Sequence, residues 1–197
     1  MKGVLMMKKI FLALLFMSCF AAFTAGAFAL EPITIRDGNT GNTEDLYPIP
    51  DEEELLFYGN ERFGYSVNIP HKVLTEVVLL PDSGDGMILE SKDGKAAFRV
   101  SGGFLTRKAG DTLFESYAET LRRVGGVENT IHHDAGDDYW EISWRNGNTL
   151  HMRRFLLNGE EAWSDLEMHY EWDEGAGDDS LHSIMWRSFI SLTFGAG

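Results

Sequence analysis

Apolar and polar residues alternate over positions 63–69, and Pro70 ends the alternation. A period of two places every second side chain on the same face of a β-strand, so a strand is predicted here. Further apolar runs are bounded by turn sequences rich in Gly, Pro and Asp. They predict strands at Val77–Leu80, Met87–Ser91, Lys95–Ser101, Val127–His133, Tyr139–Trp144, Asn148–Leu156 and Glu160–Tyr170.

One stretch in the middle of the chain has the spacing of an amphipathic helix. Thr112 and Glu115 have the spacing of a capping box at its start, and Gly125-Gly126 is a typical stop. Its apolar face is predicted to consist of Leu113, Tyr117 and Leu121.

A second helix is predicted near the carboxyl end, with either Asp179 or Ser180 as its cap. The resulting order is several strands, a helix, more strands and a closing helix. This order predicts an α+β fold in which an antiparallel sheet is packed against helices. The apolar stripe of the second helix consists of Leu181, Ile184, Met185, Phe189 and Leu192.

The first 29 residues have the three parts of a secretory signal peptide. Three lysines precede an apolar core that begins at Ile10, and Ala27-Phe28-Ala29 supplies small residues before a cut at Leu30. We therefore predict a signal peptide over residues 1–29 and an exported protein, either periplasmic or extracellular. Two alternatives remain open: an uncleaved membrane anchor, since this apolar stretch is long enough to span a bilayer, and lipidation of Cys19.

The remainder divides into a flexible acidic linker over residues 30–53 and a single domain over 54–197. Without residues 1–29 the chain keeps 14 Lys and Arg and all 31 Asp and Glu, a formal charge of −17. Such a surface argues against binding to nucleic acid or, once the signal is removed, to an anionic membrane, because both need clustered cations. Cys19 is the only cysteine, which excludes a disulfide framework.

The segment Arg62–Pro70, with the sequence RFGYSVNIP, resembles the "RFGFSVDYP" strand of many uncharacterised exported bacterial proteins. The Asp-Gly loop at 82–86 and the closing Trp186–Phe189 resemble pieces that such proteins carry in the same order. Their pattern is similar to the Mog1/PsbP-like α/β/α sandwich, over about residues 55–194. The resemblance implies a fold without an activity, and it favours an accessory or binding role.

Two hairpins determine which polar residues share a face of the predicted sheet. A three-residue loop, Arg145-Asn146-Gly147, is predicted because it places the apolar residues of both strands on one buried face. The loop Leu157-Asn158-Gly159 then sets Leu150 opposite Leu166. On the other face this register aligns Glu141, His151 and Asp165 in one row and places Arg153 between Tyr139 and Trp163 in the next.

This polar face is the candidate binding surface. A histidine between two carboxylates can hold a divalent cation or act as a pH-sensitive contact, and an arginine between two aromatic rings can bind an anion. The alternative is a solvated or helix-covered face on which each ion pair or cation–π pair adds about 0.2–1 kcal/mol.

Motifs of known chemistry are missing from the sequence. It has no G-x-S-x-G elbow, phosphate loop or H-E-x-x-H pair, so we assign no catalytic residue, metal or cofactor. His132 and His133 point to opposite faces of a strand. Asp37-x-Asn39 begins like a Ca²⁺ loop, but Pro48 stands where that loop needs a glutamate.

The leading hypothesis is a non-enzymatic binding or accessory module of the cell envelope. Its expected partner is an envelope protein or a small ligand. One alternative is a hydrolase that uses a divalent cation at Glu141, His151 and Asp165. The other is a structural domain stabilised by Ca²⁺.

Overall fold

Two antiparallel sheets, two α-helices and one short 3-10 helix (Val127–Asn129) make up the described part of the computed structural model, residues 31–172 and 181–195. The predicted α+β class, with antiparallel strands and packed helices, is confirmed. In chain order the elements are β1 (Ile33–Arg36), β2 (Thr43–Pro48), β3 (Leu56–Asn60), β4 (Tyr65–Ile69), β5 (Glu76–Leu79), β6 (Gly86–Glu90), β7 (Ala96–Phe104), α1 (Ala109–Val124), β8 (Thr130–Ala135), β9 (Tyr139–Asn146), β10 (Thr149–Asn158), β11 (Ala162–Glu171), α2 (Leu181–Ile190) and β12 (Thr193–Phe194).

The smaller sheet has five strands in the order β1-β2-β3-β4-β12, and the larger has seven in the order β5-β6-β7-β11-β10-β9-β8. The main core lies between one face of the larger sheet and a layer formed by the smaller sheet and α2. Burial of such side chains is the main favourable contribution to folding. Fully buried members of this core include Tyr58, Ile69, Phe98, Leu166 and Met185.

A second, smaller core lies on the opposite face of the larger sheet. It packs the apolar stripe of α1, predicted as Leu113, Tyr117 and Leu121, against Trp140 and Phe155 of β9 and β10. The larger sheet is therefore buried on both faces where α1 covers it.

The register of the β9–β10 hairpin differs from the predicted one. Asn146 pairs with Thr149 across the two-residue turn Gly147-Asn148. The predicted three-residue loop is wrong because it assumed a single buried face. With α1 on one side and the main core on the other, Trp140 and Leu150 point into different cores and both are buried.

The following hairpin also turns at a different place. Asn158 pairs with Ala162, which leaves a three-residue loop over 159–161. Leu150 lies opposite Tyr170, four residues beyond the predicted partner Leu166. A shift by an even number keeps every side chain on its predicted face.

Residues 33–48 form the β1–β2 hairpin, so the prediction of a flexible linker over 30–53 is wrong for this part. The hairpin is attached to the main core by Leu46, which is 1% exposed. Most of the other side chains between 31 and 48 face solvent, so the segment is polar although its backbone forms strands. A polar composition therefore predicted a linker where the chain is ordered.

The Asp37 side chain fixes this hairpin to the rest of the domain. Its buried carboxylate accepts N–H bonds from Leu80 at 3.0 Å, Asn39 at 2.7 Å and Thr40 at 3.2 Å. These donors, that of Leu80 foremost, hold the pKa of Asp37 below its ordinary value. Both of its carboxylate oxygens accept backbone hydrogen bonds, so the side chain joins the β1–β2 turn to the residue after β5.

The ends of α1 are partly as predicted. The helix begins at Ala109, and Thr112 Oγ1 donates to the Lys108 carbonyl oxygen, so the predicted capping box with Glu115 is wrong. At the other end, the amides of Gly125 and Gly126 bond to the carbonyls of Arg122 and Leu121, the Schellman pattern expected for a glycine stop.

Two predictions fall on residues outside the described ranges. These are the signal peptide over 1–29 and the cap of α2 at Asp179 or Ser180. Within residues 31–172 and 181–195, neither helix combines the length and apolar character that crossing a bilayer requires.

Candidate functional site

The six residues of the predicted binding surface lie on both faces of the larger sheet. His151, Arg153, Trp163 and Asp165 are on the α1 side. Tyr139 and Glu141 are on the main-core side, because the observed β9–β10 pairing differs from the predicted one by three residues. An odd shift moves the side chains of β9 to the opposite face relative to those of β10. The sheet therefore separates Glu141 from His151, and the row proposed for a hydrolytic metal does not form.

Arg153 is held by internal hydrogen bonds on the α1 face. Its Nε and Nη2 donate to the two carboxylate oxygens of Asp165 at 2.9 and 2.6 Å, and Nη1 donates to Thr120 Oγ1 at 2.9 Å. The guanidinium carbon lies 5.4 Å from the centroid of the Trp140 ring, and the Arg153 side chain is 17% exposed. These contacts make it a packing and ion-pair residue rather than an open anion site.

Trp163 ends a stack of three aromatic rings beneath α1. Trp140 and Phe155 are 5.8 Å apart, and Phe155 and Trp163 are 5.7 Å apart, with nearly parallel planes. The Trp163 ring continues over Gly103, where a Cβ would approach it to 2.7 Å. The stack supports the helix and is covered by it.

Glu141 forms a charged group of its own on the main-core side. One oxygen lies 2.9 Å from His132 Nε2 and the other 3.3 Å from Arg154 Nη1, with the glutamate side chain 14% exposed. Among the described residues, no three or more His, Cys, Asp or Glu side chains converge as metal ligands. Tyr139 is also paired, donating to Asp134 Oδ2 at 2.6 Å.

His151 lies in a row of three rings across β9, β10 and β11. It stacks on Trp144 with ring centroids 5.1 Å apart and planes within 7°. On its other side the directly opposite residue is His169, at a centroid distance of 5.4 Å. Burial, and next the neighbouring His169, lower the pKa of His151.

The concave feature with the most apolar lining among those described is a pocket of about 300 Å³ between β8–β10 and α2. Leu150 and Met152 contribute apolar side chains from β10, and Ile131 contributes one from β8. The rings of Trp172 and Trp186 line the pocket as well. This arrangement gives a small, largely apolar space at one end of the main core.

His182 of α2 also lines this pocket, and Tyr170 lies behind it. The Tyr170 hydroxyl makes a hydrogen bond with His182 Nδ1, and burial raises the pKa of Tyr170 well above its ordinary value. The phenol therefore keeps its proton and donates, which leaves Nδ1 as the acceptor. Burial also lowers the pKa of His182, so a neutral ring carries its proton on Nε2.

His182 Nε2 makes no hydrogen bond to another described residue. The hydroxyl of Ser143, 6% exposed, also belongs to the pocket lining. The side chains of His182, Ser143, His132 and Arg145 thus form the polar part of a lining whose other members are apolar or aromatic. Such a space suits a ring-shaped apolar molecule that carries a hydrogen-bond acceptor.

The sequence did not point to this pocket. Its lining comes from β8, β9, β10, α2 and the residue after β11, so no local motif contains it. Trp172 and Trp186 are both half-buried. The available signal was the concentration of Trp172, His182 and Trp186 within fifteen residues. No protein-family model and no curated protein matches the chain.

Proposed function

We propose that this protein is an exported binding module that holds a small, largely apolar molecule in the pocket between β8–β10 and α2. The observation that supports the proposal is the pocket itself, about 300 Å³ in volume and lined by two tryptophans. Small-molecule sites in proteins have volumes of about 300–1,000 Å³ and mostly apolar walls with few polar groups. This pocket has the size of a site for a one- or two-ring ligand.

Binding is proposed rather than catalysis because the residues predicted for hydrolysis lie on opposite faces of the sheet. Arg153 and Asp165 hold each other beneath α1, and Glu141 bonds to His132 and Arg154. The resemblance of residues 62–70 to exported bacterial proteins supports the same role. The partner thus proposed is a small ligand rather than a protein of the envelope.

Blocking the pocket tests this function. Ile131 is 60% exposed at the pocket, so Ile131→Trp is expected to fill the space with little effect on folding. The probe is 1-naphthol, a neutral two-ring alcohol. We expect it to change the tryptophan fluorescence of the parent saturably and to raise its Tm. Ile131→Trp should bind 1-naphthol with an apparent affinity at least about tenfold lower, as measured by both effects.

Ile33→Trp is the matched control, because Ile33 is 45% exposed on β1 and does not line the pocket. It should bind 1-naphthol like the parent. Equal binding by the parent and Ile131→Trp would show that the probe sits elsewhere. If neither 1-naphthol nor a set of neutral aromatic and aliphatic probes binds saturably, the proposed function is wrong.

Export has a separate test. The proposed signal peptide ends at Ala29, so intact-mass spectrometry of the protein from the producing cell should give a chain that begins at Leu30. A mass that retains residues 1–29 would support the membrane anchor. A chain that begins at a lipid-modified Cys19 would support the lipoprotein alternative.

A further inference from the structure

His151 and His169 occupy directly opposite positions on β10 and β11, on the α1 face of the larger sheet. Their ring centroids are 5.4 Å apart and both side chains are half-buried. The stack on Trp144 restricts the plane of the His151 ring. A half-turn about its Cβ–Cγ bond keeps that stack and exchanges the edge that faces His169.

This separation is the one that a shared metal ion requires. A metal–imidazole bond of about 2.0–2.1 Å places the ring centroid about 3.2 Å from the ion. Two rings that meet the ion at about 110° then have centroids about 5.2 Å apart. The observed 5.4 Å differs from this value by less than the movement that a small side-chain rotation allows.

The charges around the pair are balanced. Arg123 of α1 lies with its guanidinium carbon 5.2 Å from the Trp144 ring centroid, and it donates to both carboxylate oxygens of Glu167. Glu167 is two residues before His169 and on the same face.

We infer that His151 and His169 form a two-histidine site for a transition-metal ion, with water completing the coordination. Cu²⁺ is the expected ion of highest affinity, because imidazole suits it and it stands at the top of the divalent series. The ring separation corresponds to an N–metal–N angle of about 110°, so the Cu²⁺ coordination is expected to be distorted from square towards tetrahedral. The site is separate from the pocket, which lies on the other face of the sheet, and goes beyond the proposed function.

The test is a Cu²⁺ titration of the chain from Leu30, produced without a histidine tag and with glycine present to suppress weak surface binding. We expect one Cu²⁺ per chain, quenching of part of the tryptophan fluorescence through Trp144, and an electron paramagnetic resonance spectrum with splitting from two nitrogens. His169→Ala should weaken binding by at least about tenfold and remove the two-nitrogen splitting.

Three comparisons keep the result interpretable. His133→Ala removes an exposed histidine on β8 and should bind Cu²⁺ like the parent. Trp144→Phe keeps both ligands, so the stoichiometry should persist while the quenching falls. Circular dichroism and Tm without metal identify a His169→Ala chain that is merely unfolded, and His169→Gln then replaces it. Unchanged Cu²⁺ affinity in a folded His169 variant would overturn the inference.

Discussion

Gly86→Ala is expected to unfold the domain or to reduce its free energy of unfolding by about 5 kcal/mol or more, an exceptional loss for one methyl group. A Cβ at this position would lie 1.9 Å from the carbonyl oxygen of Val100 and 2.8 Å from the Cα of Ser101. Both are backbone atoms of the neighbouring strand β7 and have no rotamer to change. Relief requires β6 to separate from β7, which would draw Met87 and Leu89 out of the main core.

Urea denaturation of the chain from Leu30, followed by circular dichroism, measures this loss. Gly110→Ala is the matched control, because a Cβ there has no neighbour within 4 Å and the residue lies in α1. It should leave stability unchanged or raise it by up to about 1 kcal/mol. A Gly86→Ala chain within about 1 kcal/mol of the parent would contradict the packing described for β6 and β7.

Asp165→Ala is expected to reduce the free energy of unfolding by about 3 kcal/mol. The substitution removes both carboxylate acceptors of the Arg153 guanidinium and leaves it with Thr120 Oγ1 alone. In the parent the Arg153 side chain is only 17% exposed. Removing one partner of a buried ion pair costs more free energy of unfolding than the pair itself contributed, because the remaining charge stays buried without a counter-charge. Chemical denaturation at neutral pH and moderate salt measures the effect.

The double variant Arg153→Met with Asp165→Leu should recover stability to within about 1 kcal/mol of the parent, because no unpaired charge remains. Glu171→Ala provides the exposed comparison. It breaks the Lys95–Glu171 pair, whose side chains are 54% and 47% exposed, and should cost at most about 1 kcal/mol. If Asp165→Ala is as mild as Glu171→Ala, Arg153 is free enough to serve as the anion contact predicted from the sequence.

The strands were predictable where a local pattern ends at a proline. Residues 65–69 were placed by alternation and Val77–Leu80 as a continuous apolar run, and a proline follows each. The α1 stop was predictable from Gly125, whose φ of 90° favours glycine. In each case the information is local, and a few neighbouring residues are enough to determine the geometry.

The candidate site was not predictable because register depends on partners far along the chain. Asp165 was expected beside His151, and the four-residue difference between the predicted and observed β10–β11 pairing places His169 there instead. Glu141 was expected on the same face, and the additional buried face under α1 moved it to the other. The period of a sequence predicts which side chains share a face of a strand. It does not predict whether one or both faces of the sheet are buried by other elements.

The β1–β2 hairpin illustrates a different limit. Its segment has few apolar residues, and its order depends on one buried carboxylate that receives an amide hydrogen from Leu80, 43 positions away. No count of polar residues distinguishes such an aspartate from the solvated ones around it. The pocket was missed for the same reason, since Ile131 and Trp186 meet only in the folded chain.

The two cores on the larger sheet differ in size. Among the described residues, the core beneath α1 has five buried apolar residues, whereas the main core has more than four times that number. Partial unfolding should therefore begin with α1, because its detachment leaves both sheets and their shared core in place. The strands so uncovered carry Trp140, Ile142 and Phe155 on one flat surface. Under heat stress, that newly exposed surface is where self-association of this protein would begin.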